Sequence, residues 1–173
     1  ATGFLGAHLA TCLRGIGHDV VALGLRKRSC SNLLGEGIEV HYVNLCHGTL
    51  PSSIISRRFD HVINLAGYID HSPLNSGGVM VFDSHVHATF NLINSLDHGH
   101  LQTFIQIGSS DEYGNTSAPQ KEDQREQAIS PYSLAKLTNT HLIQTLYRTK
   151  NFPAIVVRPF LVYGPGQTCD RLI

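Results

Sequence analysis

The sequence predicts an α/β fold built on a parallel, doubly wound sheet. Three observations carry this. Short apolar runs of strand type alternate with longer stretches whose apolar residues recur at helical spacing, the pattern of strands joined by right-handed crossovers. A glycine-rich turn, Ala1-Thr2-Gly3-Phe4-Leu5-Gly6, opens a helix at the start of the chain. Polar residues cluster just past a strand, in Ser109-Ser110-Asp111-Glu112-Tyr113-Gly114, and open α/β sheets keep their sites at that end.

Taken in order, the first helix runs through Leu9, Ala10 and Leu13 and stops at Gly15-Ile16-Gly17, and a strand follows over 19–23. Loop, helix and strand make half of a βαβ unit. Gly3 and Gly6 have the spacing of the last two glycines of a dinucleotide-binding turn. Without side chains they let the backbone approach a pyrophosphate, and the helix N-terminus offers unpaired N–H groups and partial positive charge. The next turn, Gly24-Leu25-Arg26-Lys27-Arg28-Ser29, holds three bases and no acid. A ribose 2′-OH usually meets Asp or Glu here and a 2′-phosphate meets Arg, so NADP is favoured over NAD, the other reading of the three bases being a solvated turn. Residues 38–45 read as a strand and 51–58 as a helix. Residues 60–67 read as a buried strand ending at small residues, where a ligand can cross the sheet edge. Residues 68–78 read as a loop, 79–96 as a long helix and 103–108 as a strand. The stretch 115–129 is polar and irregular, suited to a loop bending over the site. A helix extends from Tyr132 to about Lys150, and 153–158 form the last strand.

Composition narrows the function. At 173 residues the chain is one domain, 1–173, or a piece of one. Lys plus Arg number 13 and Asp plus Glu 13, so nucleic acid or a membrane surface is not expected as partner. No apolar run approaches the roughly 18 residues of a membrane-spanning helix, and no signal peptide is expected. Cys12, Cys30, Cys46 and Cys169 are scattered without a C-x-x-C, as expected of reduced thiols in a cytoplasmic protein. Histidines number 11, yet His85 and His87 fall on a helix, where residues two apart diverge, so no metal site is expected. Ala1-Thr2-Gly3 opens inside a motif and the chain stops at Arg171-Leu172-Ile173, so it reads as truncated at both ends.

The stretch Ser130-Pro131-Tyr132-Ser133-Leu134-Ala135-Lys136 reads as a helix start, with Ser130 as cap and Pro131 in the first turn. Tyr132 and Lys136, four apart, share a face. An ammonium beside a phenol favours phenolate and lowers the Tyr pKa from its free value of about 10. Alone, the pair reads first as a surface Tyr and Lys on an amphipathic helix.

The order of motifs goes further. T-G-F-L-G at the start, N-L-A-G at 64–67, S-S-D-E-Y-G at 109–114, Y-S-L-A-K at 132–136 and R-P-F-L-V-Y-G-P-G at 158–166 fall in sequence. Together they resemble the extended short-chain dehydrogenase/reductase superfamily, in particular the NAD-dependent epimerase/dehydratase family acting on nucleotide sugars. The resemblance covers essentially the whole chain and implies a Rossmann-like domain lacking its first strand and its C-terminal substrate portion. It implies that Gly3, Phe4, Leu5 and Gly6 line the pyrophosphate and that Arg26 or Lys27 sits by the adenosine ribose. Asn44 and Leu45 match an Asp-Leu pair whose Asp touches adenine; Asn is a departure whose amide still bonds a base edge. Leu65, Ala66 and Gly67 would pass the cofactor's phosphates and ribose, and the loop from Pro159 would close over the nicotinamide. Tyr132 would be the acid/base, and Lys136 would bind the nicotinamide ribose. Ser109, or its neighbour Ser110, would hydrogen-bond the sugar oxygen at C4.

Within the family, dehydratases carry a carboxylate two residues before the Y-G tyrosine, which here is Asp111. G-S-S-D-E-Y-G looks more like the G-S-S-E-E-Y-G of deoxysugar 4-ketoreductases such as GDP-6-deoxy-mannose reductase. The expected activity is therefore NAD(P)-dependent 4-keto reduction of a nucleotide sugar, with 4-epimerisation and 4,6-dehydration as alternatives and Ser110 and Asp111 facing substrate. Asp111 and Glu112 are equally read as capping acids at the site rim. Leu161 stands where the family often has an Asn on the substrate diphosphate. Family members are often homodimers. Relatives that bind cofactor without chemistry, as sensors or scaffolds, generally lack the Tyr or the Lys; this chain has both. Residues 1–173 alone are expected to fold poorly and to turn over no substrate.

Overall fold

The computed structural model describes residues 1–25, 33 and 36–167. They fall into two compact units, residues 45–160 and residues 1–44 with 161–173. In the unit that holds the start of the chain, α1 (Phe4–Gly15) begins directly after Gly3, and β1 (Val21–Gly24) pairs in parallel with β2 (Glu39–Tyr42). Ala10, Ala22, Leu33 and Ile38 form its core, with Ala1, Ala7, Val20 and Val40 packed on it. Small side chains let α1 lie close on the sheet. A Cβ on Gly6 would overlap the backbone of Ala1, so the residue there must be glycine.

The other unit carries a parallel sheet in the order β3 (His61–Asn64), β4 (Thr103–Ile107), β5 (Ala154–Val157). The one-turn α2 (Ser52–Ile55) precedes β3, α3 (Gly78–Asn94) links β3 to β4, and α4 (Pro131–Lys150) links β4 to β5. Helix–strand alternation with parallel pairing is the expected α/β, Rossmann-like class. Phe104 at the start of β4 is fully buried and packs on Phe152 at 5.4 Å between centroids. Burying one such ring contributes about 1.5–3 kcal/mol. Val81, Ala88 and Leu92 of α3 and Ala135 and Ile143 of α4 complete this core.

The strands are shorter than the apolar runs suggest, and at β3 the reason is a side-chain hydrogen bond at the strand end. The run 60–67 yields only β3, because the Asn64 side chain turns back to accept from the N–H of Ala66 at 3.1 Å. That local turn replaces the next ladder bond. Likewise 51–58 shrinks to the single turn of α2. Inside the expected loop 68–78 lies a 3₁₀ turn, Leu74–Ser76, which hands the chain to α3 through Gly77 at φ 109°.

Candidate functional site

α4 is set by its own first residues. The Ser130 hydroxyl accepts from the Ser133 N–H at 3.0 Å while the Ser133 hydroxyl accepts from the Ser130 N–H at 2.9 Å, and Pro131 occupies the first turn. This reciprocal cap aims Tyr132 and Lys136 inward: they are 5% and 6% exposed. Lys136 Nζ donates to the Ile107 carbonyl at the end of β4 at 2.9 Å and lies 5.8 Å from the centre of the Tyr132 ring. Burial pushes the Lys136 ammonium down to about 8, and the charge of Glu112 partly opposes that.

Ser109 follows β4 and caps the 3₁₀ turn Ser110–Glu112, its Oγ accepting from the Asp111 N–H at 3.2 Å. A serine hydroxyl used as acceptor still has its own proton to donate. Ser110 N–H donates to the Pro159 carbonyl at 3.1 Å, so the loop that begins at Pro159 is fastened to this turn. Asp111 is partly exposed, with its carboxylate 3.7 Å from His71 Nε2. Glu112 is fully buried: it accepts from Ser109 N–H at 2.9 Å, from Thr140 Oγ1 at 2.8 Å and from Arg158 Nε at 2.8 Å. Of the two adjacent acids, then, Asp111 faces outward and Glu112 is locked inside.

Two histidines that the motifs did not single out complete the surroundings of Tyr132. The His71 ring meets the Tyr132 ring edge-on at 5.3 Å and its Nδ1 lies 3.4 Å from Ser130 Oγ. The His85 ring also meets Tyr132 edge-on, at 5.4 Å, and its Nε2–H donates to the Tyr68 carbonyl at 2.9 Å. His85 belongs to the buried stripe of α3 (Val81, His85, Ala88, Thr89, Leu92), a histidine on an apolar stripe and the one signal that could have found it. Gly67 sits beside it at φ 120°, and a Cβ there would overlap the imidazole. Burial, with Lys136 adding to it, pushes His85 down to about 4.

A buried neutral imidazole has a consequence for acid stability. His85 binds its proton more weakly folded (about 4) than unfolded (6.5), so its contribution to stability is complete above about pH 6.5 and is lost as pH falls through about 4. The chain is expected to lose about 2–3 kcal/mol from this residue across that window. Denaturant melts of full-length protein and of His85→Gln between these pH values check it: the variant's acid-side slope should be shallower.

The remaining expected ligand residues divide between the units. At Gly3, the N-cap of α1, no side chain caps the helix, no acid stands in its first turn, and a Cβ would meet no atom within 4 Å. Phe4 and Leu5 begin the helix there. An open, uncapped N-terminus of a twelve-residue helix fits a phosphate group. Asn44 lies exposed after β2; in the other unit Leu45 gives its carbonyl to Asn91 Nδ2 at 2.7 Å. Leu65, Ala66 and Gly67 follow β3, and small residues there fit passage of a ligand chain. Arg26, Lys27 and Arg28 lie outside the described residues. Among the described residues, no group of three or more His, Cys, Asp or Glu could hold a metal ion, and no helix is long and apolar enough to cross a membrane.

With this geometry in place the class is definite: the profile of the NAD dependent epimerase/dehydratase family matches residues 1–173, and the chain belongs to that family. Among curated proteins it is similar to the dTDP-D-glucose 4,6-dehydratase of Dictyostelium discoideum, 26% identical over 99% of this chain and 44% of the relative. It is also similar to the uncharacterized UDP-glucose epimerase YtcB of Bacillus subtilis, 25% identical over 98% of this chain and 57% of the relative. Among solved structures it superposes on the UDP-glucuronic acid 4-epimerase of Bacillus cereus in complex with UDP-glucuronic acid and NAD, with TM-score 0.83, 25% identity, and 97% of this chain against 57% of that one. The chain therefore spans about half the length of the relatives it matches.

Proposed function

We propose that residues 1–173 form the nicotinamide-dinucleotide-binding Rossmann domain of an oxidoreductase that works at C4 of a nucleotide sugar. The observation that carries the reading is the buried Tyr132 with Lys136 behind it, the ammonium pinned to the carbonyl that ends β4. Such a pair is built for proton transfer at an oxygen whose carbon is being oxidised or reduced. A bound nicotinamide supplies the hydride exchange at that carbon. Tyr132 removes the C4 hydroxyl proton on oxidation and returns it on reduction. Lys136 keeps positive charge beside the phenol, and the Ser109 hydroxyl, whose oxygen is already held by Asp111 N–H, donates to the C4 oxygen. Gly3 to Gly6 take the pyrophosphate, Asn44 and Leu45 the adenine end, Leu65 to Gly67 the phosphates and ribose, and Pro159 the nicotinamide side. Arg26 favours NADP, whereas the similar epimerase structure holds NAD.

For the reaction itself, 4-keto reduction is the first reading. Dehydration asks for a further base at the position of Asp111, the carboxylate of the turn that faces outward while Glu112 is buried and engaged, and an Asp is shorter than the Glu that dehydratases use there. Likeness to the Bacillus cereus enzyme favours a second reading, 4-epimerisation, which uses the same tyrosine. Full-length protein incubated with reduced cofactor and 4-keto nucleotide sugars, and separately with oxidised cofactor and C4-hydroxyl nucleotide sugars, separates them. A reductase consumes reduced nicotinamide stoichiometrically; an epimerase interconverts C4 epimers with no net consumption. Cofactor binding with no turnover of any nucleotide sugar would sink the catalytic reading in favour of a sensor or scaffold.

A further inference from the structure

We infer that Glu112 is a positioning residue that holds Ser109 and Lys136 in one arrangement and supplies the counter-charge to the Lys136 ammonium. The inference rests on the proposed Ser109-Tyr132-Lys136 chemistry and adds to it a residue that touches neither cofactor nor substrate.

The carboxylate of Glu112 joins three elements. Through Oε1 it accepts from Ser109 N–H at 2.9 Å, fixing the backbone that carries the serine hydroxyl. Through Oε2 it accepts from Thr140 Oγ1 at 2.8 Å, and Thr140 lies one helical turn beyond Lys136 on the same buried face of α4. The same oxygen accepts from Arg158 Nε at 2.8 Å just after β5. A Cβ on Gly108 would overlap Oε1, so the end of β4 lies directly on this carboxylate, one residue beyond the Ile107 carbonyl that receives Lys136. Arg158 is itself held on its other side by Glu126 at 2.7 Å and by the face of Tyr113, 4.9 Å from its guanidinium carbon to the ring centre. Glu112 is thus clamped rather than poised to react, and its partners on β4 and α4 lie within one residue or one turn of the proposed chemistry.

Charge supports the same conclusion. Among the described residues Lys136 meets Tyr132 on its own helix and the Ile107 carbonyl from β4, while the charge of Glu112 from the turn after β4 acts on it and its own charge acts on His85 from α3. Among these Glu112 is the anion, and it raises the affinity of Lys136 for its proton against the effect of burial. Arg158 reaches this group through Glu112.

The test is the pH–rate profile of the full-length enzyme. Lys136 holds its proton below about pH 8 and loses it above, so activity that needs the ammonium falls on the alkaline side. In Glu112→Gln the counter-charge is gone, Lys136 loses its proton more readily, and the alkaline limb is expected to move to lower pH by about one unit. A merely structural role would lower the melting temperature and leave the limb in place. Thr140→Val removes one hydrogen bond to Oε2 and no charge; it is expected to lower kcat about threefold with KM for the cofactor unchanged. Should Glu112→Gln fail to fold, Thr140→Val alone decides. An unmoved limb in folded Glu112→Gln, or an unaltered kcat in Thr140→Val, overturns the inference. Tyr132→Phe runs alongside. If it stays active, the underlying catalytic reading has failed; if it is dead while Glu112→Gln keeps its limb, only the role of Glu112 has failed.

Discussion

Tyr132→Phe in the full-length protein is expected to lower kcat by roughly 10²- to 10⁴-fold while cofactor binding and folding survive. The separation is possible because of where the ring sits. Its packing against His71 at 5.3 Å and His85 at 5.4 Å involves the aromatic body, which phenylalanine reproduces. The substitution removes the hydroxyl and nothing else of comparable size from a side chain only 5% exposed. Loss of general acid/base transfer with retained binding would appear as a fall in kcat at constant affinity for the dinucleotide. Steady-state kinetics, a cofactor titration and a thermal melt on the same preparation measure the three quantities. Activity within a few-fold of the parent would show that the proton is carried by another group.

Arg158→Met is expected to destabilise the fold by about 3–5 kcal/mol, the range for removing one partner of a buried ion pair. Glu112 is 0% exposed and the Arg158 side chain 8%, so water cannot take the arginine's place without opening the sheet end. Burial works against the guanidinium's charge, but hydrogen bonds with Tyr113, Glu126 and Glu112 and the Glu112 charge outweigh it and hold its pKa above the usual arginine value. The variant strands one carboxylate in the interior and takes the 2.7 Å arginine partner from a second, Glu126, at 13% exposure. Urea melts give the loss directly. A change under about 1 kcal/mol would mean that Glu112 had been satisfied by its two remaining donors, Ser109 N–H and Thr140 Oγ1.

The difference between what could be read from residues and what required coordinates follows the range of the interactions. α4 was legible because its determinants are neighbours in sequence: Ser130 and Ser133 cap each other across three residues, Pro131 suits the first turn, and the four-residue spacing of Tyr132 and Lys136 fixes a common face. Parallel pairing was legible from the alternation of strands and helices. Strand ends were not, because Asn64 terminates β3 through its own side chain. Glu112 looked like half of an acidic pair at the site rim. Its interior place depends on Arg158, 46 residues away, and no local pattern announces that partner. His71 and His85 gain significance because separate segments of the chain converge on Tyr132, a fact of topology. The basic turn at Arg26, on which the NADP preference rests, lies outside the described residues.

Lys136 has a consequence of a different kind. An ammonium that has given up most of its water and is anchored on the Ile107 carbonyl works against the cohesion of the fold, as its proton affinity, pushed down to about 8, records. A methionine there would fill similar space with no charge to desolvate. The fold therefore keeps at this point a group that it would be steadier without. Any ligand oxygen set against that ammonium restores part of the lost hydration, so occupancy of the site and resistance to unfolding rise together.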